Sequence, residues 1–210
     1  MSATLTTYEE RLNADPRWAL REGSMHFDQE NSVFRSLEKI TRRLDELGVP
    51  YAVVGGMALF HHGYRRFTED VDLLVTRESL KVIHERLVGL GYVPPFTGSK
   101  NLRDTETGVK IEFLVTGDYP GDGKPKPVSF PDPADVTDVV GGVKCLNLPT
   151  LVELKLTSGM APWRKKDLGD VQEMIRTLSL PLDLAVQLNP FVQESYRELW
   201  SQVRNTPDEL

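Results

Sequence analysis

Residues 51–75 read YAVVGGMALFHHGYRRFTEDVDLLV, and the rest of the chain is arranged around them. The stretch opens on a short apolar, β-prone run, residues 51–54. Gly55 and Gly56 follow, then a helix-compatible run, residues 57–62. After Arg66-Phe-Thr-Glu-Asp-Val-Asp the chain returns to an apolar run, residues 73–75. Side chains alternate between the two faces of a strand. Asp70 and Asp72 therefore share a face, about 7 Å apart along the strand, while Val71 points the other way into a core. Two carboxylates that close repel each other. At the end of an otherwise buried strand such a pair points to a cation, and hard oxygen ligands suit magnesium. The diglycine adds a second element. Glycine lets backbone amides approach a ligand closely, and a helix start leaves N–H groups unpaired for phosphate. Either feature alone reads as a plain turn or a solvated strand end. In this order, within one short unit, they read as a site.

This unit resembles the nucleotidyltransferase superfamily that includes DNA polymerase β. It is closest to the minimal bacterial branch and to the AbiEii type of toxin. The family motif is Gly-Gly or Gly-Ser, a spacer and Asp-x-Asp, matched here by Gly55, Gly56, Asp70 and Asp72. Met57 stands where many members carry a serine whose hydroxyl helps hold phosphate. The family also carries a third acidic residue on a neighbouring strand. Residues 109–115, VKIEFLV, form the clearest remaining strand, and Glu112 sits on its Lys110–Leu114 face. A charge in so apolar a strand is costly unless paired or metal-bound. Lys155, with Arg164-x-Lys166-Asp167-x-x-Asp170 after it, resembles a second signature of the AbiEii-like branch, in which the lysine reaches the nucleotide or the active centre.

The remaining sequence frames this unit. Residues 1–25 are polar, carry Trp18, and read as an arm or a docking segment. Residues 28–47 place Val33, Leu37, Ile40, Leu44 and Leu47 on one helical face, with Gly48 as the stop. Residues 78–90 predict an amphipathic helix with Leu80, Ile83, Leu87 and Leu90 inward. Residues 92–96 and 101–104 read as short strands. Residues 116–133 form a Gly- and Pro-rich loop, too long for a simple hairpin, which reads as a lid or as a solvated loop. Residues 139–148 predict a hairpin about Gly141-Gly142. Beyond residue 149 the pattern is helical, with Leu154, Val171, Ile175, Leu184, Leu188, Phe191, Tyr196 and Trp200 as inward positions and NTPDEL as a tail. His61 and His62 read as cap or rim residues, since no third ligand lies at zinc spacing.

Composition sets bounds. The chain has 210 residues, 40% hydrophobic and 27% charged, with net charge −6. That acidic balance argues against tight non-specific nucleic-acid binding. The single Cys145 excludes an internal disulfide and fits a reducing, cytoplasmic setting. The N-terminus lacks an apolar signal core, and no stretch is long enough to cross a bilayer.

The resemblance implies an α/β fold, a twisted mixed sheet flanked by helices. The expected division is a nucleotidyltransferase core with a helical lead over 1–148 and a C-terminal helical extension over 149–210. It implies transfer of a nucleoside monophosphate from an NTP to an acceptor hydroxyl. Asp70, Asp72 and Glu112 would hold two Mg2+ ions and carry catalysis. Gly55 and Gly56 would bind phosphate, and Arg66 and Lys155 would offset its charge. Thr68 is expected to brace the loop before the strand. The acceptor is left open between a small molecule, tRNA and protein. So is a toxin role with an antitoxin partner, an antibiotic-modifying role, and a non-catalytic nucleotide-binding module.

Overall fold

The structure is a computed structural model that describes residues 5–205; most of the expected tail lies outside the described residues. Thr7 and Glu10 close a reciprocal capping box at the start of α1 (Tyr8–Ala14). Asp15 caps α2 (Pro16–Phe27), which carries proline in its first turn. These helices are docked. Tyr8 is fully buried, its amide donates to the Gly108 carbonyl at 3.1 Å and its hydroxyl to Glu22 at 3.1 Å. Glu22, itself buried, accepts the amide and hydroxyl of Ser32 at the start of α3 (Ser32–Glu46). Trp18 packs edge-on to Tyr8 at 5.3 Å. The leading segment is thus a docking element rather than an arm.

The sheet has seven strands in the order β3-β4-β5-β2-β1-β7-β6. They are β1 (Ala52–Val53), β2 (Asp70–Val75), β3 (Tyr92–Val93), β4 (Leu102–Asp104), β5 (Lys110–Val115), β6 (Thr137–Val140) and β7 (Val143–Leu146). Between β1 and β2 lies α4 (Gly55–His62), and after β2 comes α5 (Arg77–Leu87). The sheet is mixed: β2 pairs antiparallel with β1 and parallel with β5, and β1 pairs parallel with β7. The β2–β5 register fixes the site, because it sets Asp70 opposite Lys110 and Asp72 opposite Glu112. On both strands the alternate residues Val71, Leu73, Ile111 and Phe113 are fully buried. The acidic face is apolar further along, where Leu74 is fully buried and Leu114 half-buried.

A four-residue turn of helix, α6 (Pro133–Val136), leads into the β6–β7 hairpin. Beyond it lie α7 (Leu148–Gly159), a 3-10 turn at Pro162–Arg164, α8 (Lys165–Thr177), a 3-10 segment at Leu182–Gln187 and α9 (Pro190–Asn205). One continuous apolar cluster runs from Tyr8 and Val33 through Val53, Leu73 and Phe113 to Leu156, Ile175 and Tyr196. Helices α7, α8 and α9 share that core with the sheet.

Two expected positions differ. The helix expected to reach residue 90 ends at Leu87, because Val88 turns extended and Gly89 takes a positive φ of 83°. Leu90 then lies 65% exposed instead of inward. Phe191, placed inward by periodicity, sits in the first turn of α9 and is also exposed. Cys145 is fully buried, and burial pushes its thiol up to about 12, far from a nucleophile.

Candidate active site

The local chain path makes the acidic floor. Asp70, Asp72 and Glu112 present one oxygen each, all within 4.8 Å of one another. The convergence follows from the register, since parallel neighbours in register face the same side. Thr68, nearly buried, donates its hydroxyl to Asp70 Oδ1 at 2.8 Å and so braces the loop into β2. Lys110, on the same face two residues before Glu112, forms an ion pair with Glu112. Burial first, then repulsion from Asp70 and Glu112, pushes the Asp72 carboxyl up to about 8, against the opposing pull of Lys155 and Arg164. A hard divalent cation would relieve that repulsion, and the all-oxygen donor set suits magnesium.

The diglycine lies directly against this floor. Gly55 has φ +60°, and a Cβ there would overlap Asp72 Oδ2. A Cβ on Gly56 would come within 2.7 Å of Thr68 Cβ and Oγ1. Both glycines are therefore required by packing, quite apart from any ligand. Val54, which precedes α4, offers no side-chain cap, unlike Thr7, Asp15, Asn31, Thr76 and Asn147 before other helices. The first amides of α4 therefore keep their donors beside the carboxylates. Met57 is fully buried in the core, so at this position only backbone can reach a ligand.

Beside the floor sits a second, basic cluster. Lys155 on α7, 7% exposed, donates to Asp167 Oδ1 at 3.0 Å and Asp170 Oδ2 at 2.7 Å on α8. Arg66 forms a two-pronged pair with Asp170 at 2.8 and 3.0 Å and donates to the Phe67 carbonyl. Arg164 and Ser158 bond Asp167 Oδ2 at 2.9 and 2.7 Å. Burial alone would raise the Asp167 carboxyl, but Lys155, Ser158 and Arg164 together hold it below the usual carboxylate range. Three cations face two carboxylates, so one positive charge is in excess. Arg66, expected to offset phosphate charge, lines the smaller cavity and is paired with Asp170, which ties the β2 approach to α8. Asp167 and Asp170 belong to the second signature, but sequence spacing gave no sign that they clamp Lys155.

Two cavities, of about 780 and 210 Å3, meet over this ground and share Gly55, Asp72, Glu112 and Lys155. The larger is walled by the loop 116–133, through Asp118, Tyr119 and Phe130. That loop is anchored at its base, where Gly117 and Phe130 exchange backbone bonds with Phe130 and Asp118 at 2.9 and 2.8 Å. Lys126 bonds within the loop, to Asp122 and the Pro120 carbonyl, and not into the site. Lys100 went unnoticed in sequence because no period marks it. Lys110 was legible, since it alternates in phase with Glu112. His61 and His62 lie at the far end of α4 and line neither cavity; His62 Nε2 contacts the Leu146 carbonyl at 2.8 Å.

No family model matches the chain, and no curated protein matches it. Among solved structures it is similar to ANT(2'')-Ia in complex with adenylyl-2''-tobramycin, with a TM-score of 0.50 and 15% identity over 80% of this chain and 96% of that one. It is also similar to the Thermotoga maritima protein TM1012 (TM-score 0.46, 21% identity, 68% and 91% covered). A third likeness is to an antigenic nucleotidyltransferase-like protein from Paracoccidioides brasiliensis (TM-score 0.45, 17% identity, 81% and 91% covered). The first of these establishes the fold: a nucleotidyltransferase-type mixed sheet flanked by helices. No helix among the described residues is long and apolar enough to cross a membrane.

Proposed function

We propose that this chain transfers a nucleoside monophosphate from a nucleoside triphosphate to an acceptor hydroxyl and releases pyrophosphate. The observation that carries this reading is the three carboxylates converging within 4.8 Å beside an uncapped diglycine helix start. Asp70, Asp72 and Glu112 would hold Mg2+. When bound, the metal lowers the pKa of the acceptor hydroxyl and neutralises charge on the phosphates. The chain's own residues do the rest. Amides of Gly55, Gly56 and Met57 bind phosphate oxygens through N–H. The positive charge in excess around Lys155 and Arg164 offsets charge on the leaving pyrophosphate. Arg66 acts with them from its pair with Asp170. Glu112 accepts the proton or orients the acceptor hydroxyl, and Lys110 holds its carboxylate in place.

A compact acceptor is favoured over a polymer. The 780 Å3 cavity falls in the range of small-ligand sites, and the anchored loop closes it on one side. The ANT(2'')-Ia structure holds adenylyl-2''-tobramycin, and an antibiotic-modifying role for this chain is one form of the proposal. The Lys155 and Arg164-x-Lys166-Asp167-x-x-Asp170 signature supports a second form, an AbiEii-like cytoplasmic toxin acting on tRNA or protein and held by an antitoxin. A non-catalytic module is the weakest form, since all three acidic positions are filled.

Incubation with each labelled NTP, Mg2+ and a cell extract tests the proposal. The expected result is a labelled species and free pyrophosphate, both lost in Asp72→Asn. Absence of pyrophosphate release together with absence of NTP binding would overturn it, and the identity of the labelled species separates small-molecule, tRNA and protein acceptors.

A further inference from the structure

Trp163 stands out among the three tryptophans. Trp18 packs on Tyr8, and Trp200 donates its indole N–H to the Leu180 carbonyl at 2.9 Å. Trp163 is 71% exposed, and its indole N–H has no partner among the described residues. An indole this exposed keeps both its ring face and its N–H available to a ligand. The turn that carries it is held firmly. Pro162 fixes φ, the Ala161 amide donates to the Ser158 carbonyl at 3.1 Å, and Arg164 bonds Asp167 and the Ala161 carbonyl. The indole is therefore projected outward from a rigid base.

Its position gives it a ligand. Trp163 lines the smaller cavity together with Gly55, Gly56, Asp70 and Lys166. Lys166 is exposed, and its ammonium has no partner among the described residues, unlike Lys155 and Arg164 beside it. The lining of this cavity thus brings together amide donors and carboxylates with a free aromatic face and a free cation. A molecule with phosphates at one end and a flat aromatic ring at the other satisfies both. We propose that Trp163 is the stacking platform for the nucleobase of the bound NTP, with Lys166 pairing its phosphates, which leaves the larger cavity to the acceptor. The inference rests on the nucleotidyl-transfer reading above. Stacking on an indole is tolerant of base identity, because every base presents a π face. The chain accordingly discriminates little among the four NTPs at this wall.

The experiment compares wild type, Trp163→Phe and Trp163→Ala, with Mg2+, no acceptor, and each NTP or inorganic tripolyphosphate as ligand. Binding is read by calorimetry and indole emission by fluorescence. The expected result is quenching by NTP in wild type that disappears in Trp163→Phe. Affinity for NTP should fall about five- to a hundredfold in Trp163→Ala and largely return in Trp163→Phe. Affinity for tripolyphosphate, which has no base, should not change. The melting temperature should also hold, since the indole is exposed. Equal NTP affinity in wild type and Trp163→Ala would overturn the platform while leaving nucleotidyl transfer intact. An equal loss of tripolyphosphate binding would make Trp163 a shaper of the phosphate site instead. Failure of wild type to bind any NTP would overturn both readings together.

Discussion

Replacing Asp72 by asparagine keeps the shape of the side chain and removes the group on which the site depends. The structure supplies a magnitude that can be measured without any substrate. An unfolded aspartate has lost its proton above about pH 4, while the folded Asp72 carboxyl is pushed up to about 8. Between those values the folded chain binds a proton that the unfolded chain does not. Stability that is complete below about pH 4 therefore falls as pH rises and levels off above about 8. The slope is about 1.4 kcal/mol per pH unit, or about 2 kcal/mol between pH 6 and 7.5. For a chain of this size that is about 4–8 °C in Tm. In metal-free protein, wild type should lose that much more than Asp72→Asn over this interval, and the variant should melt higher at pH 8. Groups such as His26, buried and held below its usual value, titrate alike in both chains and cancel. Nucleotide transfer with Mg2+ should fall about a thousandfold or more in the variant, since it removes charge used in the transition state. Parallel melting profiles would refute the raised carboxyl. Retained transfer with a lower Tm would make Asp72 a structural residue and leave the mechanism without support.

The same carboxyl makes metal binding proton-linked: Mg2+ affinity should rise about tenfold per pH unit below pH 8, with close to one proton released at pH 7. Calorimetry in buffers of different ionisation enthalpy checks this, and a buffer-independent heat would contradict it. Gly55→Ala should displace Asp72 and abolish Mg2+ binding, because its Cβ would overlap Asp72 Oδ2 at a positive φ; unchanged Mg2+ titration would be the contrary result. Gly56→Val is not a clean probe of phosphate binding, since its Cβ would press on Thr68; a loss of about 1–3 kcal/mol in denaturant unfolding is expected. Lys155→Met should cost about 3–5 kcal/mol, because it removes the ammonium shared by two buried carboxylates. A loss below about 1 kcal/mol would show that Arg66 and Arg164 suffice.

The fold was legible where periods are strong. Strand alternation placed Val71 inward and Asp70 with Asp72 outward, and alternation on β5 placed Glu112 with Lys110. Whether β5 lies beside β2 is not a local property; it came from the resemblance, and the parallel register was visible only in the folded chain. Boundaries failed where a backbone conformation ended a good pattern, as at Gly89, which stops α5 before Leu90. The packed role of the two glycines was also hidden. Composition marks them as permissive residues, but the atoms that need the space, Asp72 Oδ2 and Thr68 Oγ1, lie 12 to 17 residues on.

Charge balance explains how a stable fold carries such a site. On the floor, three carboxylates face one ammonium, Lys110, and burial with repulsion pushes the Asp72 carboxyl up toward its neutral form, which reduces the excess. Beside it, Arg66, Lys155 and Arg164 exceed Asp167 and Asp170 by one charge, and Lys155 and Arg164 act on Asp72 in the opposite sense to its carboxylate neighbours. The two clusters thus nearly neutralise each other across the cleft. Each is strained in isolation: the acids by repulsion, the buried Lys155 by lost hydration. Entry of a divalent cation alters that balance: at neutral pH it displaces the Asp72 proton, and the cleft then carries a net positive charge that attracts a triphosphate. On this argument metal and nucleotide bind with positive coupling, and the coupling strengthens as pH rises past the Asp72 value, because metal entry then adds two charges with no proton released. Nucleotide titrations at two Mg2+ concentrations, at pH 6.5 and at pH 9, measure it directly. Coupling that is equal at the two pH values would remove Asp72 as its source.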